Sequence, residues 1–226
     1  MLSVDEVRAR ILDAVRPSAE TEVIATAHAV GRYLAESPRA RVASPSFDNS
    51  AMDGYALRTA DLGPEGGELP VAFTVAAGDP PGELPGGTCA RIMTGAPVPA
   101  GADAVVMQER VEVASEGVRF PERPPTGDNI RRAGEDLAPG DALAEAGERV
   151  SPAMVSALVT AGVGRVTVGR CPRVYLLSTG SELRDPDEEL EPGQIYDSNR
   201  LALAGELAQL GLEVVDGGRV PDDPAA

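Results

Sequence analysis

Apolar and polar positions follow two regimes along the chain. Near its start, Val4, Val7, Ile11, Leu12 and Val15 recur at helical spacing behind Ser3-Val4-Asp5-Glu6, a capping-box pattern. The spacing predicts a surface helix packed on its own domain and closed by Pro17. Glu22-Val23-Ile24 suggests a short strand, and residues 25–30 a second helix ending near Gly31. From Pro45 to about Arg132 the helical period gives way to short apolar runs punctuated by Pro and Gly. Residues 71–75, 89–93, 104–107 and 109–113 are predicted strands, and Glu116-Gly117 a hairpin turn into Val118-Arg119-Phe120. Helical character returns at Ser151-Pro152, which supply an N-cap and a first helical residue, and is predicted to stop at Gly162. Val166 and Val168 suggest another strand.

Past Pro172 the pattern changes again. Arg173-Val174-Tyr175-Leu176-Leu177 is a nearly continuous apolar run of the kind buried in parallel sheets. Asp197 caps a helix carrying Leu201, Leu207 and Leu210 that ends at Gly211, and residues 212–215 form the next strand. These elements predict an α/β fold. Residues 1–44 and 137–170 form a discontinuous N-terminal α+β domain, interrupted by a mostly-β domain at 45–136. Residues 171–226 begin a three-layer αβα domain through a right-handed βαβ unit. Two strands and one helix do not close such a sheet, so the last domain is expected to be truncated.

Composition narrows the chemistry. The formal charge is −16, which opposes nucleic-acid binding through a broad basic surface. Every basic side chain is Arg, so no amine is present for a Schiff base or a Walker lysine. His28 is the only histidine, which excludes a Ser-His-Asp triad and a multi-His metal site within the chain. Cys89 and Cys171 are too few for a disulfide framework. The absence of a signal-peptide pattern and of a long apolar run predicts a cytoplasmic protein with no membrane span.

Residues 46–56 fit neither helical period nor strand alternation, and crowd Asp48, Asn49, Ser50 and Asp53 between few apolar anchors. They form either a site or a polar turn leading into a strand at Tyr55. In an open α/β sheet, ligands bind beyond the carboxyl ends of the strands. There, Ser178-Thr179-Gly180-Ser181-Glu182 offers hydroxyls and backbone N–H groups to phosphate and a carboxylate to a cation, and Asp222 and Asp223 fall on the same expected rim. Thr94 follows a predicted strand; Arg131 can bind an oxyanion bidentately, and Asp136 can coordinate a metal. The competing assignment for each is a turn with a solvated ion pair.

The collinear motifs at residues 47–56, 91–97, 129–136, 178–183, 194–200 and 222–224 resemble the molybdopterin molybdenumtransferase family, the MoeA and gephyrin E-domain group. The resemblance implies insertion of molybdenum from molybdate into adenylylated molybdopterin, with Mg²⁺ or another divalent cation assisting pyrophosphate cleavage and AMP release. It implies a homodimer with composite sites. Asp53, Thr94, Arg131 and Asp136 would come from one subunit and Glu182 and Asp222 from its partner. Asp53, Thr94, Asp136, Glu182 and Asp222 would then be catalytic, with Asp53, Glu182 and Asp222 as metal ligands. Arg131, Ser178, Thr179 and Gly180 would bind substrate. A non-enzymatic, gephyrin-like scaffold is the alternative.

Overall fold

The computed structural model describes residues 2–16 and 18–221. Chain order begins with α1 (Val4–Ala14), β1 (Thr21–Ala25), a 3₁₀ turn at Thr26–His28, β2 (Asn49–Ser50) and β3 (Gly54–Leu57). It continues through β4 (Gly67–Leu69), β5 (Val71–Val75), β6 (Cys89–Ile92), β7 (Ala104–Met107), β8 (Glu112–Val113), β9 (Val118–Phe120) and β10 (Ile130–Arg131). Then come α2 (Pro152–Thr160), β11 (Arg165–Gly169), β12 (Arg173–Thr179), β13 (Leu183–Arg184), β14 (Ile195–Tyr196), α3 (Ser198–Gln209) and β15 (Glu213–Val220). This is a mixed α/β chain, rich in short strands. It forms two compact units, one from Pro38–Leu143 with Ser156–Val163, the other from the flanking segments.

The unit built around Pro38–Leu143 holds a four-stranded sheet in the order β5-β6-β3-β7, a three-stranded sheet in the order β4-β9-β8 and the β10-β2 pair. β3 pairs antiparallel with both β6 and β7, and all four of its residues are buried. Because side chains alternate across a strand, β3 feeds two cores. Tyr55 and Leu57 join Cys89, Val106, Leu69, Val118 and Phe120 on one face. Ala56 joins Ala90, Ile92, Val105 and Val75 on the other. Each fully buried large side chain contributes about 1.5–3 kcal/mol of transfer free energy, so this strand is firmly anchored next to Asp53.

In the other unit β1 and β11 pair antiparallel. β12 and β15 pair in parallel, with α3 as the crossover packed against both. Asp197 caps α3 by accepting from the Arg200 N–H at 3.1 Å. The predicted cap at α2 is also present: the Ser151 hydroxyl accepts from the Met154 N–H at 3.1 Å, and Gly162 closes the helix at φ +77°.

Four expectations change. Within residues 25–30 only a 3₁₀ turn forms, at Thr26–His28, because neighbouring segments take the backbone bonds: Thr26 N–H donates to the Gly164 carbonyl and Gly31 N–H to that of Val150. The predicted strand at 109–113 is shortened to β8 by a 3₁₀ turn at Gln108–Arg110. The capping box at Ser3 forms, yet α1 buries none of its residues, so its apolar face is not packed on the domain; Pro17 lies outside the described residues. β12 is parallel as expected but open on one face, with Tyr175 64% and Leu177 55% exposed.

Candidate active site

Antiparallel pairing of Gly54 with Ile92 brings the start of β3 beside the end of β6. Asp53, just before β3, therefore meets Thr94, just after β6. Asp53 Oδ1 accepts from both the Thr94 N–H and the Thr94 hydroxyl, each at 2.7 Å. The Thr94 N–H, then its hydroxyl, hold the Asp53 carboxyl below the usual carboxylate range, with the charge of Arg91 acting in the same direction. Asp53 is exposed, and its Oδ2 has no hydrogen-bond partner among the described residues. Gly54 has a steric reason: a Cβ there would lie 2.1 Å from the Val106 carbonyl oxygen.

A second cluster belongs to the same unit. β2 pairs with β10, opposing Asn49 to Arg131 and Ser50 to Ile130. Ser50 also exchanges backbone bonds with Gly95 and Ala96, next to Thr94. Arg131 donates to Glu135 at 2.7 Å and to Asp136 at 2.5 Å, and these bonds, Asp136 first, strengthen its hold on its proton. Arg132 and the Ala133 N–H both donate to Asp48, at 2.6 and 2.8 Å. The Ala133 N–H, ahead of Arg132, lowers the Asp48 carboxyl. The polar run at 46–56 is thus tied to the 129–136 motif through β2 and through Asp48.

The third cluster lies in the other unit, beyond β12. Ser178 donates to Asp197, and the Gly180 N–H to the Val220 carbonyl at 3.2 Å, so both groups have internal partners here. Thr179 and Glu182 are exposed. Gly180 makes room for the acidic side chain, because a Cβ there would lie 2.8 Å from Glu182 Oε2. Asp222 lies outside the described residues. The centre of this region is Arg200, 6% exposed, whose guanidinium donates to Asp185, Asp197 and Asp216. Ser178 first, then Arg200, depress the Asp197 carboxyl. Arg219 extends the network to Glu188 at 2.7 Å and to the Leu183 carbonyl at 2.6 Å.

Asp53 with Thr94, and Arg131 with Asp136, are therefore brought together. The pairing of Asp48 with Arg132, and the contributions of Arg91, Arg200 and Arg219, were missed. The Asp197–Arg200 spacing of three is a helical-neighbour signal that could have been followed. Asp48 and Arg132, 84 positions apart, carry no local signal. Among the described residues, no three His, Cys, Asp or Glu converge on one metal-sized point.

A family described as MoeA N-terminal region (domain I and II) matches residues 2–162, about the two sheets and both clusters around Asp53 and Arg131. The chain belongs to the MoeA family. A second family, described as probable molybdopterin binding domain, matches residues 175–226. A molybdopterin molybdenumtransferase of Haemophilus influenzae is 41% identical over 227 residues, covering all of this chain and 56% of the relative. Molybdopterin molybdenumtransferase 2 of Mycobacterium tuberculosis is 38% identical over 233 residues, with the same coverage. Crystal structures of molybdopterin biosynthesis MoeA protein from Pyrococcus horikoshii match 95% of this chain at 34% identity, with TM-scores of 0.80 and 0.82, and cover 56% and 58% of those chains. The chain thus spans a little over half the length of its MoeA relatives. No described helix is long and apolar enough to cross a membrane.

Proposed function

We propose that the protein carrying this chain inserts molybdenum from molybdate into adenylylated molybdopterin, cleaving the pyrophosphate and releasing AMP. The observation that carries this reading is the Asp53 carboxylate, ionised, exposed and fixed by both Thr94 donors in a chain of the MoeA family. Carboxylate oxygens are hard donors of the kind a divalent cation such as Mg²⁺ takes, which supports including that cation in the proposal. Asp53 of one subunit, with Glu182 and Asp222 of the partner subunit, would hold it, and when bound it would supply positive charge to the phosphoryl oxygens.

The chain's own side chains divide the remaining tasks. Thr94 holds Asp53 in its ionised state. Arg131, kept in place by Asp136 and Glu135, presents a planar fork for an oxyanion, which has to displace one carboxylate to bind. Thr179, at the open end of β12, together with Ser178 and Gly180, faces the phosphates. Homodimerisation with composite sites and a cytoplasmic location belong to the same proposal.

The test is Asp53→Asn in the protein carrying this chain. The change keeps side-chain volume and removes the charge, so kcat is expected to fall by about 10²-fold or more with the fold intact by circular dichroism. Wild-type turnover in that variant removes Asp53 from the mechanism, and no molybdenum insertion by the unsubstituted protein rejects the reading.

A further inference from the structure

Arg91 stands on β6 directly opposite Tyr55 on β3. Its guanidinium carbon lies 5.0 Å from the Tyr55 ring centroid, and Tyr55 is itself pinned edge-to-face against Phe120. Stacking on a buried ring orients the guanidinium plane. From that plane Nη1 donates to the Gly54 carbonyl at 3.0 Å, and Nη2 to Gln108 Oε1. Gln108 is held in turn from its other side: its Nε2 donates to Glu109 Oε1 at 3.1 Å, and its backbone N–H donates to the Asp53 carbonyl at 3.0 Å.

Two successive carbonyls, those of Asp53 and Gly54, are therefore held by one linked pair, Gln108 and Arg91. The Asp53 side chain is held independently by Thr94. With the backbone fixed on one side and the carboxylate on the other, little freedom remains in the Asp53 torsions. We infer that Arg91, locked by Gln108 and stacked on Tyr55, is a positioning residue that aims the Asp53 carboxylate at its ligand. The inference rests on the reading of Asp53 as a site carboxylate. Lysine does not replace this arginine, because one ammonium has neither the fork that reaches two acceptors nor the planar face that stacks on Tyr55.

The Thr94 amide reports directly on the carboxylate, because it donates to Asp53 Oδ1. In Arg91→Lys, hydrogen exchange of the Thr94 amide is expected to accelerate about tenfold or more, while the amides of Ala56 and Leu57 keep their protection. Unchanged exchange at Thr94 overturns the inference. So does equal acceleration at all three amides, which would make Arg91 a purely structural residue. Gln108→Ala, a change on an exposed side chain, is expected to move Thr94 in the same direction, and no movement there also overturns it.

Turnover supplies the second readout. In the protein carrying this chain, Arg91→Lys is expected to lower kcat about tenfold at constant KM, and to have no further effect in an Asp53→Asn background. Additive losses in the double variant overturn the inference, because Arg91 would then act without Asp53. Full turnover of Asp53→Asn alone would instead reject Asp53 as a site carboxylate, while the Thr94 exchange result still decides whether Arg91 positions that carboxylate.

Discussion

Asp53 and Glu182 are both exposed acids beside strand ends, yet their surroundings are fixed by opposite means. Asp53 abuts β3, whose four residues are buried between two apolar cores, and backbone groups do most of the holding. Glu182 follows β12, which leaves Tyr175 and Leu177 exposed, and its loop is braced by the guanidinium groups of Arg200 and Arg219. Apolar packing and the backbone ladder of β3 respond little to salt, whereas ion pairs to exposed acids such as Asp185 and Asp216 weaken as ions screen them. One acid thus stands on a rigid platform, and the other on a bracing whose strength depends on the solvent.

The contrast can be broken by mutation. The largest effect is expected from Phe120→Ala, which empties the core shared by Tyr55 and Leu57 and is expected to cost about 3–5 kcal/mol in urea denaturation. A loss below about 1 kcal/mol would mean that the platform under Asp53 does not depend on that core. Arg200→Met comes next. It leaves Asp197, 3% exposed, without its cation. Amide exchange across α3 is then expected to rise on the order of 10²-fold while β3 amides stay protected. Equal protection of α3 in the variant would show that the charges do not brace this unit.

The smallest effect sharpens the comparison at Asp53 itself. The carboxyl is depressed in the folded protein, so its stabilising contribution is fully present above the unfolded value of about 3.9 and is lost as pH falls through the folded value. Thr94→Val removes the hydroxyl donor and keeps the N–H, the larger cause of the shift. The Asp53 carboxyl titration, followed by carbon NMR, is expected to move part of the way back toward the ordinary range. An unmoved titration would assign the whole effect to the backbone.

Local signals in the sequence were legible wherever neighbours in the chain are also neighbours in space. The capping box at Ser3, the N-cap at Ser151, the left-handed stop at Gly162 and the cap at Asp197 each depend on residues within one turn. The helix expected at 25–30 failed because its backbone groups bond to Gly164 and Val150, far along the chain. Isolated short helices are marginal without help from packing. In the site, the Asp53 and Thr94 motifs stood out as irregular polar runs, but their direct bond depends on the antiparallel register of β3 and β6. The Asp197–Arg200 contact has a local spacing, but Asp185 and Asp216 lie 15 and 16 positions from Arg200 and meet its guanidinium only through the fold.

Gly54 separates two kinds of selection at adjacent positions. No L-residue with a Cβ fits against the Val106 carbonyl, so glycine would return there in any library screened for folding alone. Asp53, one position earlier, is exposed and packs in no core, so folding alone has little hold on it. A screen that recovers glycine at 54 has measured only the sheet. One that also recovers aspartate at 53 has measured the chemistry.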